Sequence, residues 1–194
     1  MACYAELQIT SNFSFLRGAS HPEEYVEQAA ALGLAGLALT DRNSFAGVVR
    51  AHLAAREFGI RFLPGVRLDL EDAPSLLAWP TDRAAWGRLC RLITLGRRRA
   101  PKGLCQLRLA DVWAHAEGQL FALLPPDQPD AAFLALFDQL ARCWHGRLWL
   151  VVQHLYRGDD LERIEHLAAL AAARRIPLLA TNDVHYHRPD RRRL

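Results

Sequence analysis

Ile176-Pro-Leu-Leu-Ala-Thr-Asn-Asp-Val-His-Tyr-His187 is a short apolar strand that runs out into polar residues, with Asp183, His185 and His187 at alternate positions. On extended backbone, side chains at i, i+2 and i+4 share one face, so a carboxylate and two imidazoles would converge there as metal ligands do. The pattern of apolar run, polar cluster and then helical period repeats outward along the chain. Residues 4–9 lead into Thr10-Ser-Asn12, residues 34–39 into Thr40-Asp-Arg-Asn43, and residues 147–152 into Gln153-His154. Ligand chemistry in parallel α/β folds collects at the carboxyl ends of strands, so these four placements predict one common pocket.

Between the strands the periodicity predicts helices. Ser20 caps the first, with Pro22 in its first turn, Glu23 three residues on and Gly33 as its stop. Ser44 caps a second, whose apolar positions Val48, Val49, His52, Leu53 and Phe58 recur at helical spacing before Gly59. Residues 60–63 and 66–70 are strands flanking Pro64-Gly65, and residues 75–79 are another. A third helix opens at Thr81 or Asp82 and ends at Gly96. Arg97-Arg-Arg-Ala-Pro-Lys-Gly103 then reads as a basic loop, the best candidate for an anion-touching segment. A short helix over 109–116, a strand over 119–124, and helices over 130–144 and 159–175 complete the pattern, with a last strand over 177–180. The sum is an α/β fold of six or seven strand–helix pairs with a mostly parallel sheet, and no linker long enough to divide it.

Half of the 194 residues are apolar, ample for a packed core. Lys and Arg exceed Asp and Glu by only three, and Lys102 is the sole lysine, so the arginine content reads as codon bias rather than phosphate recognition. Cys3, Cys90, Cys105 and Cys143 form no C-x-x-C pair, which disfavours a zinc ribbon or a disulfide framework and suits a reducing cytosol. With no signal pattern and no long apolar run, the expectation is a soluble cytoplasmic protein with no membrane partner. The five tryptophans lie on apolar periodic faces and read as core.

Five stretches, in order, resemble the PHP (polymerase and histidinol phosphatase) domain: residues 4–20, Leu39-Thr-Asp41, residues 44–52, Pro64-Gly-Val66 and Ala180-Thr-Asn-Asp-Val-His-Tyr-His187. More closely, the chain resembles the N-terminal domain of bacterial C-family DNA polymerases. Ser11-Asn-Phe-Ser-Phe-Leu-Arg-Gly-Ala-Ser-His-Pro-Glu-Glu24 is especially like the error-prone, translesion branch. The resemblance spans essentially the whole chain. It implies a distorted (β/α)7 barrel with a metal pocket at its strand ends and, in the family at large, phosphoesterase or proofreading-type nuclease activity. Residues 1–187 would be the PHP domain and residues 188–194 the start of a connection to a polymerase region absent from this chain. The implied partners are the remainder of the polymerase, translesion accessory proteins, the sliding clamp, and DNA through the parent; Mg²⁺ would serve the absent polymerase region.

Carried over residue by residue, the family's opening His-x-His falls on Gln8 and Thr10. An acidic residue of some relatives falls on Arg17, the histidine of Thr-Asp-His on Arg42, and the glutamate after Pro-Gly-Val on Arg67. Asp41 survives but does not rank as a direct ligand; Asp183 and His185 survive as the remnant of the metal site. Two ligands and an amide fall short of a metal's usual four or more contacts, and cations at three former ligand positions repel it. The expectation is a degenerate, unoccupied site with no catalytic residue and no cofactor in this chain, Zn or Mn binding only if the site is intact. Arg42 and Arg67, with Arg17, would take over the metals' electrostatic role by pairing with Asp41 and Asp183. Two alternatives stand beside this: the arginines point into solvent, or the chain is itself a metal-dependent phosphoesterase or 3′–5′ exonuclease.

Overall fold

A computed structural model of the chain describes residues 4–192; expectations placed on Cys3, Arg193 and Leu194 lie outside the described residues. Two compact units result, Met1–Leu68 with Asp183–Leu194, and Asp69–Asn182.

The first unit contains β1 (Ala5–Ile9), α1 (Pro22–Ala31), β2 (Gly36–Leu39), α2 (Val48–Phe58), β3 (Arg61–Pro64) and β4 (Val66–Leu68). Strands β1, β2 and β3 form a parallel sheet with β2 in the middle. All four β2 residues are buried, as the continuous apolar run of a central parallel strand requires. Tyr25, Val26 and Ala29 of α1 and Ala51, Ala54 and Ala55 of α2 pack on Ile9, Leu37 and Leu39.

Both helices begin later than their hydroxyl signals suggest. His21, not Ser20, is the N-cap of α1, and the Glu24 carboxylate accepts its backbone N–H at 2.7 Å. In α2 the cap is Gly47, because a Cβ there would sit 2.8 Å from Leu39 Cδ2 and 2.9 Å from Pro22 Cγ. Ser44 instead accepts the Ala46 N–H at 3.2 Å inside the preceding turn. The same close approach reverses the expected face of α2. Its buried side is the alanine row, while Val49 and Leu53 are 67% and 59% exposed. Gly59 ends the helix in the left-handed region, φ 66°, where glycine carries no Cβ penalty.

The second unit contains β5 (Leu76–Pro80), α3 (Arg83–Arg99), α4 (Leu109–Ala114), β6 (Gln119–Leu123), α5 (Ala131–Cys143), β7 (Leu148–Val152), α6 (Asp160–Ala173) and β8 (Leu178–Ala180). β6, β7 and β8 are parallel, but β5 pairs antiparallel with β6: with two helices rather than one between them, the chain re-enters the sheet in the opposite sense. Phe121, Phe137, Leu140 and Leu148 are fully buried, and Trp144 stacks on Phe121 with ring centroids 4.1 Å apart. No tryptophan among the five is exposed.

The basic loop expected at residues 97–103 is in part a helix. α3 runs through Arg97, Arg98 and Arg99, whose charge suits its C-terminal turn. Gly96 does not stop it. A Cβ at Gly96 would lie 2.6 Å from Leu107 Cδ2 and 2.7 Å from Cys105 Sγ, so the glycine lets the following segment cross the helix, and the Gly96 carbonyl accepts the Gln106 N–H at 3.0 Å. Pro189–Arg192 form one 3-10 turn. No helix among the described residues is long and apolar enough to cross a membrane.

Gly96→Ala is expected to lower the unfolding free energy by about 1–2 kcal/mol, since overpacking outweighs the gain of about 1 kcal/mol in helix propensity. Urea denaturation measures it; unchanged or higher stability would contradict the packing role.

Candidate functional site

Val184 brings the C-terminal motif to the first strand. It bridges Ile9 in the parallel sense: the Thr10 N–H donates to the Val184 carbonyl at 2.8 Å and the Val184 N–H to the Gln8 carbonyl at 2.9 Å. Glu6, Gln8 and Thr10, the alternate positions of β1 and its end, are buried. Asp183 therefore lies beside Gln8, whose Nε2 donates to Asp183 Oδ1 at 2.7 Å. His185 Nε2 stands 3.4 Å from the same oxygen, and its Nδ1 donates to the Arg17 carbonyl at 3.0 Å.

His187 does not join them. β8 stops at Ala180 and Asp183 takes a left-handed φ of 47°, so the backbone is not extended through the motif and the shared face is lost. The His187 ring Nδ1 is 2.8 Å from Ser20 Oγ, which also accepts the His187 N–H at 3.1 Å. Ser20, read as a helix cap, is in fact the anchor of this histidine. Among the described residues, no three His, Cys, Asp or Glu side chains group so as to hold a metal ion.

Asp41 is 1% exposed and serves the backbone path. Its Oδ1 accepts the Ser11 N–H at 2.8 Å and the Ser14 hydroxyl at 2.7 Å, and its Oδ2 accepts the Ser11 hydroxyl at 2.7 Å. Burial pushes the Asp41 carboxyl up, and the hydrogen bonds from Ser14 and Ser11 only partly offset that. The expected pairing of Asp41 with arginine is thus replaced by two hydroxyls and an amide. Ser14 Oγ also accepts the Arg42 N–H at 3.0 Å. Sequence reasoning did not single out Ser11 and Ser14 as a pair; their i, i+3 spacing directly after a strand is the available signal. Nor did it find Glu6, 3% exposed, which accepts the Tyr4 hydroxyl at 2.7 Å and the Gln8 N–H at 2.9 Å; its period-two relation to Gln8 was legible.

Arg42 and Arg67 are neighbours across a parallel bridge, fixed by the Asn43 N–H to the Arg67 carbonyl at 2.8 Å and the Arg67 N–H to the Asp41 carbonyl at 3.1 Å. Both are half-buried, whereas Arg17 is exposed and contributes its carbonyl. Burial pushes the Asp183 carboxyl up, but the His185 hydrogen bond and the charges of His185, Arg67 and Arg42 outweigh it and hold Asp183 below the usual carboxylate range. The hydrogen bond to Asp183 raises the His185 pKa; burial opposes it, the Arg17 carbonyl and the Asp183 charge add to it, and Arg42 lowers it, leaving a net rise. This donor set does not fit a metal: the Asp183 carboxylate faces an amide N–H, an imidazole whose pKa it raises, and two guanidinium charges. In the second unit, Gln153 Nε2 and Thr181 Oγ1 at the ends of β7 and β8 lie 3.4 Å apart, while His154 is exposed against the Tyr156 ring.

Parallel strands with polar residues gathered beyond their carboxyl ends define an α/β domain of a recognisable class. The PHP domain family profile matches residues 6–175, and the chain belongs to that family. It is 52% identical over 192 residues to the error-prone DNA polymerase of Caulobacter vibrioides, covering 98% of this chain and 18% of that protein. It is 46% identical over 200 residues to the error-prone DNA polymerase of Brucella abortus, covering 100% and 19%. The chain thus spans about a fifth of the length of the curated relatives it matches. Among solved structures, a protein of Bifidobacterium adolescentis that carries the name of a metal-dependent phosphoesterase is similar in fold, with a TM-score of 0.71 at 18% identity over 97% of this chain and 90% of that one. An amidohydrolase of Chromobacterium violaceum, with bound sulfate and no metal, gives a TM-score of 0.69 at 19% identity over 95% and 88%.

The two shifts fix a pH dependence. Asp183, held low, contributes stability that is present above the ordinary carboxylate pKa and lost as pH falls through its folded value. His185, held high, contributes stability that is present below about 6.5 and lost as pH rises through its folded value. The pair is strongest in the mildly acidic window between. NMR titration is expected to place the His185 pKa above 6.5 in the unaltered protein and to bring it down in Asp183→Asn; an unchanged value in the variant would contradict the pairing.

Proposed function

We propose that this chain is the PHP domain of an error-prone, translesion DNA polymerase, in which the PHP metal site has degenerated and the domain serves as a structural and interaction module. Identity of 52% over nearly the whole chain to a protein named error-prone DNA polymerase supports the parentage. The observation that carries the degenerate reading is the 2.7 Å hydrogen bond from Gln8 to Asp183. Gln8 stands where the resemblance expects a ligand histidine, and it offers a donor to the one carboxylate a metal would need. The Arg42 and Arg67 guanidinium groups supply positive charge around that carboxylate, and the bond to His185 adds to the hold on it.

Template-directed nucleotide addition, with its Mg²⁺, would belong to a polymerase region outside this chain, and no residue here takes part in it. The remainder of the polymerase is the first partner of this reading. Translesion accessory proteins, the sliding clamp and DNA reached through the parent follow from it, in the setting of cytoplasmic DNA repair and the SOS response. The finer fold reading, a distorted (β/α)7 barrel, is supported by family membership and by the likeness to solved structures over nearly the whole chain.

The second reading, a metal-dependent phosphoesterase or 3′–5′ exonuclease, is favoured by the name of the Bifidobacterium adolescentis neighbour and opposed by the donor set. Elemental analysis of tag-free protein, with phosphatase and nuclease assays across Zn, Mn and Mg, separates the two. Substoichiometric metal and no turnover are expected, with Asp183→Ala indistinguishable from the unaltered protein in the assays. Stoichiometric Zn or Mn with an activity abolished by Asp183→Ala would establish the enzyme.

A further inference from the structure

The basic stretch of the second unit carries more charge than its folding uses. Residues 83–108 hold eight of the chain's 24 Lys and Arg and none of its 21 Asp and Glu, so elsewhere acids outnumber bases by five. A codon bias toward arginine would spread charge along the chain; it would not concentrate it and exclude acids. The acids that meet this stretch are each taken already. Asp111 is held by Arg99 through two bonds of 2.7 and 3.0 Å, Glu71 by Arg108 at 3.4 Å and Glu117 by Arg88 at 3.7 Å. Arg91, Arg98 and Lys102 are exposed and make no ion pair among the described residues.

Geometry gives that surplus a form. Arg91, Thr94, Leu95, Arg98 and Arg99 line a surface cavity of about 610 Å³ along α3. The opposite face of α3 buries Leu89, Leu92, Ile93 and Gly96, so the arginines stand on a rigid element rather than on a loop. Arg91 and Arg98 are two turns apart on one side, about 10 Å along the axis at 1.5 Å per residue. Along the axis of a duplex each strand presents a phosphate about every 3.4 Å, so a stretch of about 10 Å brings a phosphate near each guanidinium fork. Each fork can bind phosphate oxygens bidentately.

We propose that the outer face of α3 is a docking surface for the phosphate backbone of DNA. A nucleic-acid strand fits better than an acidic protein because its anions are continuous, so any register puts a phosphate within reach of both Arg91 and Arg98, whereas an acidic protein must bring a carboxylate to each. The surface stands on the charge and geometry of α3 alone, whether or not the strand-end site holds a metal.

Fluorescence anisotropy of a labelled strand of about 20 nucleotides, and of its duplex, titrated with the 194-residue chain between about 50 and 200 mM salt, tests this. Arg91→Gln/Arg98→Gln is expected to weaken single-strand binding about ten-fold at the lower salt and to reduce the slope of log K against log salt by about 1.4. Arg56→Gln/Arg142→Gln, which removes the same charge from exposed positions elsewhere, is expected to weaken it less than about two-fold. Thermal melts confirm that both variants are folded. Three results would overturn the proposal: no binding at the lower salt, equal losses in the two double variants, or polyglutamate bound as tightly as DNA and equally weakened by Arg91→Gln/Arg98→Gln. The last would give the surface to an acidic protein.

Discussion

Two backbone hydrogen bonds seat Val184 between Gln8 and Thr10, and the candidate site exists because of them. They join positions about 175 residues apart in sequence and set Asp183 against the buried polar face of β1. The neighbouring contacts follow as consequences. The Ala19 N–H donates to the His185 carbonyl at 2.8 Å, His185 reaches back to the Arg17 carbonyl, and His187 settles on Ser20. A second tie fixes the other wall. Asp41, at the end of β2, gathers Ser11 and Ser14 and so shapes the turn through which Arg17 passes.

The electrostatics of the two aspartates differ for one physical reason. Burying a carboxylate is costly unless charge or hydrogen bonds compensate it. Asp41 receives neutral donors only, so burial dominates and its carboxyl is raised. Asp183 receives an imidazole and the fields of two guanidinium groups, so attraction dominates and its carboxyl is lowered. A carboxylate already compensated by its own protein has little to gain from a metal. That is the physical basis of the proposal that the site is degenerate.

Much of this was legible in the sequence. Apolar runs followed by Thr-Ser-Asn, Thr-Asp-Arg-Asn and Thr-Asn-Asp placed the strand ends, and arginine at two positions where the resemblance expects ligands foretold the charge beside Asp183. What was not legible depends on tertiary distance or on backbone dihedrals. Residue type alone does not announce that Asp183 would turn left-handed and send His187 away. The apolar period of α2 favoured Val49 and Leu53, but only the closeness of α2 to Leu39 and Pro22, enforced at Gly47, explains why alanines face inward. Gly96 carried a stop signal and served a crossing segment instead, which moved three arginines from a loop onto a helix.

The most direct measurement is a crystal structure grown in excess Zn or Mn, with anomalous scattering collected at the metal edge. The degenerate reading predicts no anomalous peak at Asp183 and His185, with the Gln8 amide still in hydrogen-bond contact with the Asp183 carboxylate. A peak about 2.0–2.2 Å from both Asp183 and His185 side chains, with Gln8 displaced, would contradict it.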